Sequence, residues 1–145
     1  MTDGPDLFAE LDAAERVINH DGPYRILVTG SRTWDDWPRI AFELGVAIGQ
    51  SGHPLDNIVI VHGSCPRGAD AIADRIAASY GCQVERHPAD WERCGKQAGF
   101  IRSAEMVRLG ADLALAFIRG NSAGATHCAT MAAQAGIEIR RFTCA

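Results

Sequence analysis

Residues 58–80 constrain the fold most strongly, because they predict a strand, a glycine-flanked loop and a helix in direct succession. Four β-branched residues at positions 58–61 are typical of a strand that is covered on both faces of a sheet. From residue 69 onward, apolar side chains recur at the three- and four-residue spacing of one buried helix face. They are Ala69, Ile72, Ala73, Ile76, Ala77 and Tyr80.

The loop at residues 62–68, HGSCPRG, separates this strand from the helix. A strand–loop–helix junction directs free backbone N–H groups and the positive end of the helix dipole at one point. This arrangement favours a phosphate site. The alternative is a plain turn in which the glycines only supply a positive φ and Asp70 complements the helix dipole.

The rest of the chain repeats the alternation of strand and helix. Further strands are predicted at residues 24–29, 82–87, 111–118 and 137–142, and further helices from about 37, 96–109 and 125–135. This order predicts an α/β fold, a Rossmann-like three-layer sandwich with a mostly parallel five-stranded sheet. Residues 23–145 would form that domain. Residues 1–22 would be an N-terminal extension with a short amphipathic helix, packed on the domain or at a dimer contact.

The spacing of apolar residues predicts the buried face of two helices. The first follows a cap at Asp35 or Asp36, with Pro38 in its first turn. Its expected core residues are Trp37, Ile40, Ala41, Leu44 and Ile48. The helix at 96–109 is expected to bury Phe100, Ile101, Ala104 and Val107, while Gly95, Gly99, Arg102 and Met106 form a separate stripe.

Three predicted strands end in polar, glycine-rich loops, at residues 30–32, 62–68 and 120–124. Ligands of parallel α/β sheets bind at the carboxyl ends of the strands. The sequence therefore predicts a nucleotide or phosphate site where these loops meet.

Composition limits the other functional classes. The net charge of −4 argues against broad binding of nucleic acid. A local basic pocket stays open as an alternative, because five basic residues fall in or beside loops: Arg32, Arg67, Lys96, Arg102 and Arg119. The five cysteines show no paired spacing, which predicts reduced thiols in the cytoplasm and no metal site. We see no signal peptide and no apolar run near 18 residues, so a soluble protein without membrane contact is expected.

Five motifs carry a resemblance to a known family: G-S-R-x-W at 30–34, H-G-x-x-x-x-G-A-D at 62–70, A-D-W at 89–91, G-K-x-A-G-x-x-R at 95–102 and G-x-x-H at 124–127. In this order they resemble the SLOG superfamily, in particular its YspA-like, cpYpsA-related branch. That superfamily also contains the DprA/Smf DNA-processing proteins and the lonely-guy phosphoribohydrolases. The resemblance implies a Rossmann-like domain that binds a nucleotide or nucleotide-derived ligand and requires no cofactor.

The loops and the resemblance together give the expected ligand-binding residues. They are Gly30, Ser31, Arg32, His62, Gly63, Gly68, Ala69, Asp70, Asp90, Trp91, Lys96, Gly99, Arg102, Ser103, Gly120, Gly124, Ala125, Thr126 and His127. Ser103 stands where the branch usually has Asn.

The resemblance leaves three functions open: a nucleotide-binding module or sensor, a hydrolase of nucleotide N-glycosidic bonds, and a DprA-like binder of single-stranded DNA. Lonely-guy enzymes use a Glu at a position that Cys128 or Ala129 occupies in this chain, and neither can act as a carboxylate. The missing Glu favours the binding module, and the acidic balance disfavours DNA. Asp90 and Arg102 remain candidate catalytic residues. Since lonely-guy proteins are dimers, the resemblance also implies a homodimer.

Several single residues keep two interpretations. Arg32 binds a phosphate or a structural carboxylate. Asp70 accepts from ribose hydroxyls or favours the helix N-terminus, and Asp90 is a general acid or base or an Asx-turn residue. Trp91 stacks on a base or fixes a loop to the core, and Trp34 carries the same alternative.

The histidines at positions 62 and 127 are expected to hydrogen-bond near the site rather than to bind metal. His127 beside Cys128 resembles a nucleophile and its base, but adjacent helical residues point in different directions.

Overall fold

The computed structural model describes residues 22–144, which form one five-stranded sheet with helices on both faces. The strands are β1 Tyr24–Gly30, β2 Ile58–His62, β3 Gln83–Arg86, β4 Leu113–Arg119 and β5 Ile139–Cys144. Their order is β3-β2-β1-β4-β5, and every neighbouring pair is parallel. The predicted Rossmann-like α/β sandwich is therefore confirmed. The helix predicted within residues 1–22 lies outside the described part of the chain.

The connecting helices alternate with the strands. They are α1 Trp37–Ser51, α2 Ala69–Tyr80, the single turn α3 Trp91–Cys94, α4 Ala98–Leu109 and α5 Ala123–Gln134. Short 3-10 turns occupy Leu55–Asn57 and Gly95–Gln97. No helix within residues 22–144 combines the length and the apolar character needed to cross a membrane.

Each face of the sheet has its own core. On one face, Ile26, Ile60 and Phe117 pack against α1 and α2. On the other face the sheet packs against α4 through Met106 and Val107 and against α5 through small side chains, of which Ala129 and Ala132 are fully buried. Small residues let α5 lie close to the sheet, so its N-terminus comes close to the end of β4.

The buried face of α1 differs from the predicted one at its first residue. The Asp36 side chain accepts a hydrogen bond from the Arg39 backbone N–H (3.1 Å), as a helix cap should. Trp37, however, is 61% exposed, and the prediction that it joins the core is wrong. Trp34, which is 2% exposed, is the buried tryptophan of this region and packs edge-on against Phe117.

The predicted core face of α4 is wrong at three of its four residues. Phe100 and Ile101 are about half exposed and Ala104 is exposed, whereas Val107 packs against the second core as predicted. The buried residues of the helix are Ala98, Ser103 and Met106. α3 and the 3-10 turn at Gly95–Gln97 precede α4. The helix is oriented so that Gly99, Arg102 and Met106 of the predicted stripe face inward, whereas Gly95 is exposed in the preceding turn. That stripe covers the carboxyl ends of the strands instead of a purely apolar core.

Candidate functional site

A cavity of about 420 Å³ opens at the carboxyl ends of β1, β2 and β4. The chain order reverses between β1 and β4, since β2 and β3 extend the sheet on one side and β4 and β5 on the other. Such a switch point is where open α/β sheets bind ligands. The volume lies within the usual range of small-molecule sites.

The cavity brings together residues from all three predicted loops and from α4. The predicted ligand-binding residues that line it are Gly30, Ser31, Arg32, Gly63, Asp70, Trp91, Lys96, Gly99, Arg102, Ser103, Gly124 and Ala125. Those outside its lining are His62, Gly68, Ala69, Asp90, Gly120, Thr126 and His127.

Gly30 and Gly68 allow close packing where the end of β1 and its loop meet β4 and the start of α2. A Cβ on Gly30 would lie 2.6 Å from the Phe117 carbonyl oxygen. A Cβ on Gly68, which has a φ of 78°, would lie 2.5 Å from the Arg32 Cα. The Ala69 backbone N–H donates to the Ser31 carbonyl oxygen across this contact (3.2 Å). These glycines therefore fix where the β1 loop meets the start of α2.

Ser31 joins the first loop to the third. Its side chain is buried, and its Oγ accepts a hydrogen bond from the Arg119 backbone N–H (2.8 Å). The same hydroxyl lies 3.4 Å from the Arg119 carbonyl oxygen, to which it donates. The ends of β1 and β4 are thus fastened to each other at the floor of the cavity.

Asp70 provides the single carboxyl group among the described lining residues. It is 5% exposed, and its Oδ2 accepts a hydrogen bond from the Cys65 backbone N–H (3.3 Å). Burial raises the pKa of this carboxyl above its ordinary value. Five basic side chains share the lining with it: Arg32, Arg67, Lys96, Arg102 and Arg119. The cavity is therefore cationic in a chain whose net charge is −4.

Arg102 crosses from α4 to the loop after β2. Its Nη1 donates to the Gly63 carbonyl oxygen. A Cβ on Gly63 would lie 2.7 Å from the Arg102 Cζ, so glycine leaves the space that the guanidinium occupies. This contact ties the second loop to α4.

Trp91 and Asp90 open α3 at the rim. Trp91 is half exposed, and the Arg32 Cζ lies 5.7 Å from its ring centroid, a cation–π contact. The idea that Trp91 fixes its loop to the core is therefore wrong, whereas it holds for the buried Trp34. The Asp90 Oδ1 accepts from the Arg93 backbone N–H (3.0 Å), so Asp90 is the N-cap of α3 rather than the predicted Asx-turn residue.

Comparison with known proteins agrees with these motifs. Residues 24–94 match the model of the YspA, cpYpsA-related SLOG family. The Gene 61 protein of Mycobacterium phage D29 is 45% identical over 123 residues, a match that covers 81% of this chain and 95% of the phage protein. The chain belongs to the YspA, cpYpsA-related SLOG family. No solved structure matches it significantly.

The histidine beside the second loop of this SLOG domain has a structural role. His62 is buried, and its Nδ1 accepts a hydrogen bond from the Ser64 backbone N–H (2.9 Å). The proton must then sit on Nε2, which donates to the Asp74 Oδ2 (2.6 Å). The Arg86 Nε donates to the same carboxylate oxygen (2.7 Å). Through these hydrogen bonds His62 holds the loop after β2 in its conformation.

Cys128 and His127 do not form a nucleophile–base pair. Cys128 is 1% exposed between Thr29 and Ser103, and burial raises the pKa of its thiol. His127 is exposed on α5, where its ring meets Phe100 edge-on. Within residues 22–144, no three His, Cys, Asp or Glu side chains are grouped as a metal ion would require.

Sequence reasoning did not select nine of the lining residues of the SLOG cavity as ligand contacts. They are Thr29, Thr33, Cys65, Arg67, Phe100, Met106, Arg119, Asn121 and Ser122. Arg67 and Arg119 belong to the local basic pocket that the sequence left open, and Arg119 ends a buried strand just as Arg32 directly follows one. Met106 lies on the predicted stripe with Gly99 and Arg102, so it could have been included by its spacing.

Proposed function

We propose that this SLOG domain is a binding module for a nucleotide or nucleotide-derived ligand. The observation that carries the proposal is the excess of five basic side chains over one carboxyl in a cavity at the switch point of the sheet. A concave cationic site in an otherwise acidic chain attracts a small anion. The basic area is too small to contact many phosphates of a long polyanion such as a nucleic acid.

The phosphate would lie at the start of α5. Ser122, Gly124 and Ala125 line the cavity at this end of the helix, whose first-turn N–H groups and dipole favour an anion. Lys96 is exposed and reaches the same cavity from the 3-10 turn before α4. It would supply a point charge to the phosphate.

The nucleoside would occupy the opposite part of the cavity. The buried Asp70 carboxyl offers hydrogen bonds to ribose hydroxyls, because at least one of its oxygens can accept in either protonation state. The half-exposed ring of Trp91 offers a surface on which a base can stack.

Calorimetric titration with a panel of nucleoside 5′-monophosphates tests this proposal. Lys96→Ala should weaken binding by about 1.5–3 kcal/mol, the usual contribution of a hydrogen bond to a charged group. Arg93→Ala is the matched control, because Arg93 is exposed on α3 and lies outside the cavity lining. If no nucleotide binds, or both variants lose affinity equally, the proposal fails.

Hydrolysis of the N-glycosidic bond is the second candidate function. It is favoured by Asp70, a buried carboxyl whose raised pKa suits a group that gives a proton to a leaving base. Free adenine released from AMP can be followed by chromatography. Release that Asp70→Asn abolishes and Asp90→Asn leaves intact would make the domain a hydrolase. Binding without release would leave the binding module.

A further inference from the structure

A second cavity of about 600 Å³ adjoins the one described above, which we now call the inner lobe. Six of the ten described residues that line this outer lobe also line the inner lobe, including Gly63, Trp91 and Arg102. The remaining four are Ser64, Pro66, Pro88 and Ala89. The two lobes are therefore parts of one cleft, and Trp91 borders both of them.

The outer lobe lies at the nucleoside end of this cleft. It is lined by the loop after β2 and by residues 88–91, which follow β3. The proposed phosphate position is at the start of α5, which follows β4. Because β2 and β4 lie on opposite sides of β1, the outer lobe is remote from that phosphate and close to the base.

The side chains of the outer lobe offer hydrogen-bond donors and no carboxylate. Its described lining contains Arg32, Arg67 and Arg102 but no Asp or Glu, and Asp70 borders the inner lobe alone. A guanidinium has no acceptor atom, and the Trp91 indole also only donates. The outer lobe therefore fits a ligand edge that carries acceptor atoms.

Two of these donors are buried and unpaired. Among the described residues, Ser64 Oγ and Arg102 Nε are the buried side-chain atoms without a hydrogen-bond partner. Both lie beside Gly63, since Ser64 is the next residue and a Cβ on Gly63 would lie 2.9 Å from the Arg102 Nε. Ser64 also has a φ of 60°, and no other non-glycine residue of the described chain has a positive φ. Buried donors without a protein partner are costly, and two adjacent ligand acceptors would satisfy them.

We propose that the outer lobe binds the edge of the base and selects a 6-oxopurine, which is guanine or hypoxanthine. This inference rests on the proposed function, in which the base stacks on Trp91. A 6-oxopurine carries two adjacent acceptors, O6 and N7, whereas adenine has an amino donor in place of O6. The Ser64 hydroxyl and the Arg102 Nε would donate to O6 and N7. The amino group of adenine would meet donors only.

Calorimetric titration with inosine 5′-monophosphate (IMP) and AMP tests the proposal, because the two nucleotides share their ribose and phosphate. The readout is the ratio of the AMP Kd to the IMP Kd, in which a general loss of affinity cancels. In the wild-type chain this ratio should be about five or more, the lower end for a correctly paired base edge. The 7-deaza analogue of GMP lacks the N7 acceptor and should bind more weakly than GMP. Equal affinities for those two would overturn the pairing with N7.

Two variants remove one donor. Ser64→Ala should lower the ratio toward one. Ser64→Gly should do the same at a residue whose φ of 60° suits glycine, so it keeps the test if Ser64→Ala fails to fold. Ser79→Ala is the matched control, because it removes a serine hydroxyl that is exposed on α2 and lies outside both lobes. Its ratio should equal that of the wild type.

The outcomes separate the two proposals. A wild-type ratio near or below one, with monophosphates bound, overturns the selection of 6-oxopurines and leaves the nucleotide-binding function standing. A ratio that stays at the wild-type value in the Ser64 variants overturns the proposed site as well. If neither IMP, GMP nor AMP binds, and no other nucleoside monophosphate does, the proposed function itself fails and the inference fails with it.

Discussion

At the scale of single residues, the glycines at the site are required first by the close packing of the protein's own backbone. The sequence correctly marked Gly30 and Gly68 as special, because they flank loops at strand ends. It could not reveal the neighbours that require them, the Phe117 carbonyl and the Arg32 backbone, since both come from other segments. In a sequence, a glycine that lets a ligand approach cannot be distinguished from a glycine that lets two backbone segments pack closely.

Gly30→Ala is expected to destabilise the fold by about 1–3 kcal/mol, because the new methyl group meets fixed backbone atoms. Ligand affinity should fall as well, since the β1 loop must move. Denaturant unfolding measures the first effect and calorimetry the second.

Gly49→Ala is the matched control. Gly49 lies inside α1, and a Cβ added there would meet no neighbouring group within 4 Å, so alanine should stabilise the helix by about 0.5–1 kcal/mol. A stable Gly30→Ala variant would contradict the packing role.

At the scale of secondary-structure elements, the sequence predicted the order and type of the strands and the long helices. Buried β-branched runs and helical periodicity are strong local signals, and α2 begins and ends close to where they indicate. The orientation of α4 was missed for a physical reason. A helix that lines a cavity turns small and polar residues inward, such as Ser103, and this reverses the usual amphipathic pattern.

The revised orientation of α4 predicts unequal costs for two substitutions. Met106→Ala should destabilise the protein by about 2–5 kcal/mol, because Met106 is 2% exposed in the second core. Ile101→Ala should cost much less, since half of its side chain is already in water. Thermal or chemical denaturation of the two variants measures the difference. A larger loss from Ile101→Ala would restore the predicted core face.

At the scale of the whole molecule, Arg25 connects parts of the fold that are distant in the sequence. Its guanidinium pairs with both Glu85 oxygens (2.7 and 2.9 Å), joining β1 to β3 across the intervening β2. Its Nε donates to the Gly110 carbonyl oxygen just after α4 (2.9 Å). His87 adds a further contact to the Glu85 carboxylate (2.7 Å). One charged cluster thus joins the sheet to the end of a helix.

This cluster gives the stability of the fold a pH dependence. The hydrogen bonds from Arg25, together with the His87 contact, lower the pKa of Glu85 from 4.5 to about 2. Because the folded pKa lies below the unfolded one, the stabilisation is complete above about pH 4.5. It is lost as the pH falls from there toward 2.

Glu85→Gln should lower the free energy of unfolding at pH 7 by about 1.5 kcal/mol, the low end for a charged hydrogen bond, because the side chain is one-third exposed. The difference from wild type should shrink between pH 4.5 and 2. Urea titrations at several pH values measure it, and a constant difference would contradict the role of Glu85.

The position of β1 in the sheet also determines when the cleft can exist during synthesis. β1 is the first strand of the described chain, yet it lies at the centre of the sheet. Its pairing with β4, which places Ile26 beside Leu113, can form only after β4 has been synthesised. Three strands can pair early, whereas the part of the cavity wall that carries Arg119 and Ser122 is synthesised after them. The cleft is therefore complete only after β4 and the start of α5 have been synthesised. A bound nucleotide would stabilise the completed chain and leave nascent, partly folded chains unaffected.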